Sequence, residues 1–370
     1  MQQAMGKPGL WAAIGAGALA VLGALLLAGC GTVGYLAQSV HGHLSLVQQA
    51  RPVEHWLADA NTPQHLRERL ALSQRIRRFA VDELGLPDTR SYRSYADLGR
   101  PAAVWNVVAV PELSLTLQTW CFPVVGCVGY RGYYDRKEAE AFAQTLRAQG
   151  MDVRVYGVPA YSTLGRLEWL GGDPLLNTFI GYPEGELARL IFHELAHHVV
   201  YVRDDTSFNE SFATAVERLG VQRWLQHHAS AAAKEEYERF DARRRDFLAL
   251  TLRYRERLAA VYAGPGREED KRRGKAEVLA AMRAEHAQLK AGPWEGFAGY
   301  DRWFEEANGA SLAVLAAYTE WVPGFERLFE AQGRSFARFY EAVRELAQQP
   351  RDERRRVLMS SMISDQEPAR

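Results

Sequence analysis

The hydropathy pattern along the chain changes period several times, and each change predicts a different element. An almost unbroken apolar run, LWAAIGAGALAVLGALLLAGC, fills 10–30. Helical periodicity follows over 33–60 and 62–84. The second of these has clear punctuation, with Thr62 as a cap, Pro63 at a first-turn position a helix tolerates, and Gly85 and Pro87 as stops. Residues 88–102 have no period and read as a loop. The period then shortens to two: VWNVVAV at 104–110, LSLTLQTW at 113–120, VGYRGYY at 128–134 and MDVRVYGV at 151–158 all read as strands. Between the last two, 135–150 has the acidic start and glycine stop of a helix. From Pro183 onward the pattern is nearly all helical, over 183 to about 202, then 208–225, 230–262, 268–290, 310–331 and 334–347. GPGREEDKRRGK at 264–275 reads as a hinge, and the charged tail after Pro350 as disordered. The expected class is α+β: a small mixed β-sheet with one crossover helix, a two-helix site beside it, and a mainly helical C-terminal half. The expected segments are 1–29, 30–100, 101–225, 226–348 and the tail 349–370.

Charge narrows the partners. Lys+Arg and Asp+Glu number 45 each, so no basic footprint points to nucleic acid. The runs RRR at 243–245 and ERRR at 353–356 stand beside acidic residues in helical sequence and read as solvated helix faces.

The N-terminus has the form of an export signal. Lys7 precedes the apolar run, and the run ends in small residues at Leu27-Ala28-Gly29-Cys30. Those four residues match a lipobox, which predicts lipid on Cys30 and a membrane anchor. Gly31 stands where an Asp would signal inner-membrane retention, so the expected place is the outer membrane of a bacterial envelope, facing the periplasm. The alternative is an uncleaved membrane span. In an oxidising compartment Cys121 and Cys127, six positions apart in TWCFPVVGCVGY, are expected to form a disulfide. Closing so small a ring is worth about 2 kcal/mol on a chain-entropy estimate.

The chemistry concentrates in FHELAHHVVYV at 192–202. His193 and His197 fall one turn apart on one helix face, where two imidazoles can converge on one zinc ion. Glu194 is about 100° round the helix, placed to act on a water at an open metal position and not to hold the metal. The pattern that supplies a third histidine six residues after His197 is excluded, because Val200 and Arg203 stand where it needs Gly and His. A glutamate from a second helix is the other common solution, and Glu210 in FNESFATAVERLG fits it. Asp204, Asp205 and Glu217 are the other nearby carboxylates, with Glu217 expected to be dispensable for both metal and activity.

AYSTLG at 160–165, DPLL at 173–176, HELAHHVVYVRDDTSFNESFA at 193–213 and VVGCVGYRGYY at 124–134 together resemble the bacterial family of predicted aminopeptidases with gluzincin motifs. The resemblance spans most of the chain beyond the leader. It implies zinc ligands at His193, His197 and Glu210, and a catalytic base at Glu194.

Substrate signals are weaker. Residues 153–163 lie about thirty positions before the metal helix, where an edge strand could pair with a peptide. An aminopeptidase needs an acid for the free amine, with Glu168 and Asp173 as candidates, and an oxyanion donor, with Tyr161 and Tyr318 as candidates and Tyr318 preferred. The expected function is a zinc-dependent peptidase of aminopeptidase type, with peptide substrates, tethered to the envelope. The rival is a non-catalytic envelope lipoprotein with a structural zinc site, which would ordinarily be closed by a fourth protein ligand.

Overall fold

A computed structural model describes residues 34–35, 38–122, 126–160 and 171–363. The expected lipobox with Cys30, and the candidates Tyr161 and Glu168, lie outside them. Among the described residues no helix is long and apolar enough to cross a membrane. The chain divides into two compact units, 1–48 and 49–370. The described part of the first is helical.

The elements of the second unit are β1 (Arg51–Pro52), α1 (Val53–Ala58), α2 (Gln64–Asp82), β2 (Ser94–Ala96), β3 (Val104–Pro111), β4 (Trp120–Phe122), β5 (Gly126–Val128), β6 (Arg131–Tyr133), α3 (Arg136–Arg147), β7 (Met151–Val158) and β8 (Leu175–Leu176). Then come α4 (Glu184–Ala196), α5 (Thr206–His227), α6 (Ala231–Ala263), α7 (Glu268–Ala291), α8 (Asp301–Glu305), α9 (Gly309–Thr319), α10 (Val322–Ala331), α11 (Phe336–Ala347) and α12 (Arg351–Ile363). The expected class holds: small sheets lie among helices, and the C-terminal half is helical.

The main sheet has the order β6-β3-β7, all antiparallel, with β3 and β7 in register from Val104↔Val158 to Pro111↔Met151. The sheet is buried on both faces, which is why β3 reads VWNVVAV and not as an alternating strand. Helix α3 packs against β7 and β3 through its buried Ala139, Ala143 and Leu146. Asp135 caps that helix, accepting the N–H groups of Lys137 and Glu138. Val108 and Val110 of β3 form one cluster with Ala310 and Ala313 of α9, whose small side chains let helix and sheet approach closely.

Helices α4 and α5 are the most intimately packed helix pair. Gly220 of α5 makes the approach possible, because a Cβ there would stand 2.7 Å from Leu84 Cδ1 and 2.9 Å from Phe192 Cδ2. Aromatic contacts fix the pair on both sides. Phe79 of α2 meets Phe192 and Trp224. Phe212 of α5 meets Phe325, Phe339 and Tyr340 of α10 and α11. A separate core around Phe247, Trp294 and Phe304 holds the long hairpin α6–α7.

Several boundaries differ from the sequence pattern. The 33–60 helix is interrupted at β1, and most of 113–120 is irregular, with a strand only from Trp120. The helix from Pro183 stops at Ala196, and 310–331 splits at Glu320–Trp321. The hinge expected over 264–275 shrinks, since α7 already begins at Glu268. The tail expected to be disordered is helical over Arg351–Ile363, because Arg354 finds a buried partner. Its guanidinium donates to Asp205 Oδ2 at 2.6 and 3.2 Å and lies over the Phe208 ring. The predicted disulfide joins Cys121 to Cys127 across the β4–β5 hairpin.

Candidate metal centre

Two helices and the loop between them bring the site together. Pro183 precedes α4 as its N-cap residue, and Glu184 and Glu186 occupy the first turn, where negative charge suits the helix dipole. His193 lies in the last turn. His197 is the C-cap residue and keeps right-handed helical angles (φ −61°, ψ −17°), so the one-turn spacing to His193 survives although the helix has ended. Helix α5 starts at Asp205, whose carboxylate accepts the Phe208 N–H.

The loop at 198–205 is pinned at three points. Asn209 clamps it from within α5, accepting the Val202 N–H at 2.8 Å and donating to the Val202 carbonyl at 2.7 Å. Asp204 sits in the left-handed region (φ 64°) and its carboxylate accepts the Cys127 N–H at 2.6 Å. The disulfide-closed hairpin can lie this close only because residue 126 is glycine: a Cβ there would fall 2.3 Å from Asp204 Oδ1. The third point is the Arg354–Asp205 pair. With the loop held, Glu210 emerges on the first turns of α5 facing the two histidines.

His193, His197 and Glu210 each offer a ligand atom, and these atoms all lie within 4.8 Å of one another. Glu210 Oε2 is 3.3 Å from His193 Nε2 and 3.8 Å from His197 Nε2. A tetrahedral ion with bonds of 2.0–2.1 Å separates its ligands by about 3.4 Å, so the spacing fits. His197 Nδ1 is buried with no hydrogen-bond partner. Burial lowers the His197 pKa to about 4, so its ring is neutral, as a ligand must be. His193 behaves oppositely. Burial works against its charge, but Glu210 and Glu217 bond both ring nitrogens and raise its pKa well above the ordinary value. The two carboxylates hold a positive charge between them, and a bound cation would replace that proton.

Glu194 is half-buried beside this group. Desolvation, with the charges of Glu210 and Asp173, outweighs the attraction of His193 and raises its pKa to about 7, the range suited to a general base near neutrality. Tyr318, at the end of α9, is kept protonated: burial and the charges of Glu210 and Glu194 raise its pKa well above the usual value. Asp173 is likewise buried, held by Ser91 Oγ on its N–H and the Tyr92 N–H on its carbonyl.

Glu217 differs from expectation. It is no bystander: its Oε2 is 3.0 Å from His193 Nδ1, and its Oε1 accepts from Arg189. Burial opposes its ionisation, yet Arg189 and His193 hold its pKa at about 2. Arg189 continues to Glu186, and Glu186 to Arg244 of α6. A carboxylate on the second nitrogen of a ligating histidine fixes the tautomer and aim of the ring. The signal was present in the spacing, because Glu217 is seven residues, two turns, after Glu210 and so on the same face. Tyr156 and Asn106 gave no such signal. They face each other across β7 and β3, with a side-chain hydrogen bond between them. Burial raises the Tyr156 pKa to about 12, with Asn106 opposing and Glu210 adding to the rise.

A buried and a half-buried histidine, an ionised glutamate and a second glutamate with a near-neutral pKa form a donor set suited to a divalent ion and to proton transfer beside it. No match was found among curated proteins or solved structures. A family model described as "Putative aminopeptidase" matches residues 34–358, and that span contains every residue of the centre, so the chain belongs to that family.

Proposed function

We propose that the protein is a zinc-dependent peptidase of aminopeptidase type, tethered to the bacterial envelope through lipid on Cys30. The observation that carries the catalytic part is the convergence of His193, His197 and Glu210 beside Glu194 in a chain of this family. When bound, zinc would supply the Lewis acidity that makes a water nucleophilic near neutral pH. Glu194 takes the proton of the attacking water and passes it to the departing amine. Tyr318, always protonated, donates a hydrogen bond to the carbonyl oxygen as negative charge develops on it. Glu217 and Arg189 hold the His193 ring in place. The outer edge of β7 pairs with the peptide backbone. Asp173, buried and with its charge acting on Glu194, is assigned to the free amine.

The structural-zinc reading needs a fourth protein ligand. The group brought together among the described residues has three members, which leaves a position for water and favours catalysis.

Soluble protein lacking the leader should take up one zinc ion per chain, measured by atomic absorption. A chelator should remove both the ion and peptide hydrolysis, and added zinc should restore them. Hydrolysis that persists in metal-free protein, or a protein that takes up no zinc and cuts no peptide, sinks this reading.

The anchor has its own test. The motif Leu27-Ala28-Gly29-Cys30 makes Cys30 the acylated residue, so Cys30→Ser should abolish labelling by a fatty-acid analogue and detergent partitioning. Unchanged partitioning would favour a membrane span in place of a lipid.

A further inference from the structure

The outer edge of β7 is open over a short stretch only. In an antiparallel ladder alternate residues direct their backbone groups to opposite sides. The Val153 carbonyl accepts from Asn308 Nδ2 at 3.0 Å and so faces away from β3. Val155 and Gly157 therefore face the same outer side, and among the described residues no strand pairs with β7 on that side. At the Val153 end the edge is closed. Asn308 occupies the carbonyl, and the Gly309 N–H binds Asp152 Oδ2 at 2.9 Å, so the start of α9 stands across the strand. From Val155 to Gly157 is about 6.6 Å, room for roughly two residues of an added peptide. Antiparallel addition, the slightly stronger arrangement, runs the peptide's C-terminal end toward the closed end.

Arg154 stands at that end. It shares a strand face with Tyr156, and the charges of Glu210 and Arg154 both act on the Tyr156 hydroxyl. Arg154 is 9% exposed. Its Nη2 is 3.1 Å from Glu306 Oε2, but Glu306 also accepts from Arg302 Nε at 2.9 Å. One carboxylate thus serves two guanidinium groups. The second terminal nitrogen of Arg154, Nη1, is buried with no hydrogen-bond partner. A buried guanidinium with an unused donor, one carboxylate short of balance, is a receptor for an anion of carboxylate geometry.

We infer that Arg154 binds the terminal carboxylate of a short peptide lying on the β7 edge, which makes the protein selective for short peptides with a free C-terminus. This rests on the peptidase reading above and adds to it the length and the end group of the substrate.

The test compares tri-alanine with tri-alanine amide, and with an amide whose last residue is aspartate. Zinc-loaded protein should hydrolyse the free acid with a kcat/KM about tenfold or more above the plain amide. Arg154→Met should remove that preference, and Arg154→Lys should restore part of it. The aspartyl amide separates the two sources of a carboxylate: it should behave like the plain amide if the chain terminus is what Arg154 holds. Binding of the same peptides to the Glu194→Gln protein, measured by calorimetry, is the second readout and needs no turnover. Equal rates and equal binding for acid and amide in the parent protein overturn the inference while leaving a peptidase. So does an aspartyl amide as good as the acid, which moves recognition to a side chain. If no peptide is hydrolysed, the peptidase reading fails, and the calorimetric preference alone decides on Arg154. Should Arg154→Met fail to fold, the acid-to-amide ratio of the parent and the Lys variant carry the same decision.

Discussion

Glu194→Gln protein is expected to keep its zinc and its fold while peptide hydrolysis falls by about 10²–10⁴-fold. The substitution preserves shape and hydrogen bonding but removes the proton acceptor. Glu194 is outside the group of three whose ligand atoms converge, so nothing in the metal's coordination changes. Glu210→Gln should do the opposite first. It exchanges an anionic ligand for a neutral one between two histidines 3.3 and 3.8 Å away, so zinc affinity drops steeply and activity falls with it. Metal content by atomic absorption, set beside kcat for a peptide substrate, separates the two. Loss of zinc from the Glu194 variant together with full zinc in the Glu210 variant would reverse the assignment of ligand and base.

Arg189→Met is expected to cost the largest share of stability, about 3–5 kcal/mol in the metal-free protein. It strips the counter-charge from Glu217, which is 5% exposed and ionised between Arg189 and His193, and it frees Glu186 as well. The same change should weaken zinc binding by about 10–100-fold, because His193 loses the firm support of its second nitrogen. Urea unfolding reads the first effect and a competition titration for zinc reads the second. Adding Glu217→Leu to Arg189→Met should recover part of the stability, since no unpaired buried charge then remains, but not the metal affinity. A double variant as unstable as the sum of its parts, with parent-like zinc binding, would show that the Arg189–Glu217 pair does not support His193.

The residues of the site were legible in sequence to the extent that they are local in sequence. His193 and His197 are one helical turn apart, and that relation needs only α4 to be read. Glu210 came from a short loop and a helix start. Glu217 was legible as sharing a face with Glu210 two turns earlier, while its bond to His193 depends on how closely α5 crosses α4, which the small Gly220 permits. Tyr156 and Asn106 were invisible, because their pairing is a matter of sheet register across about fifty residues. The helix boundaries failed for related reasons. The pattern carries helix on to about 202, yet the chain turns after Ala196 because Asn209 takes both backbone groups of Val202. The charged tail looked unable to bury anything, but Arg354 inserts beside Asp205 and Phe208. In each case a distant polar partner overrode the local propensity.

That last contact has a consequence for the order in which the molecule is completed. Arg354 lies 149 residues after the Asp205 it holds, while His193, His197 and Glu210 fall within one short segment. A ribosome delivers all three residues of the candidate centre long before it delivers the clamp on the helix that carries Glu210. Possession of the ligands and completion of their scaffold are separate events in the life of the chain. A fragment ending near Pro350 holds every residue of the candidate metal centre yet lacks the guanidinium that braces the cap of α5. The last helix thus acts as a keystone, set after the arch has been raised.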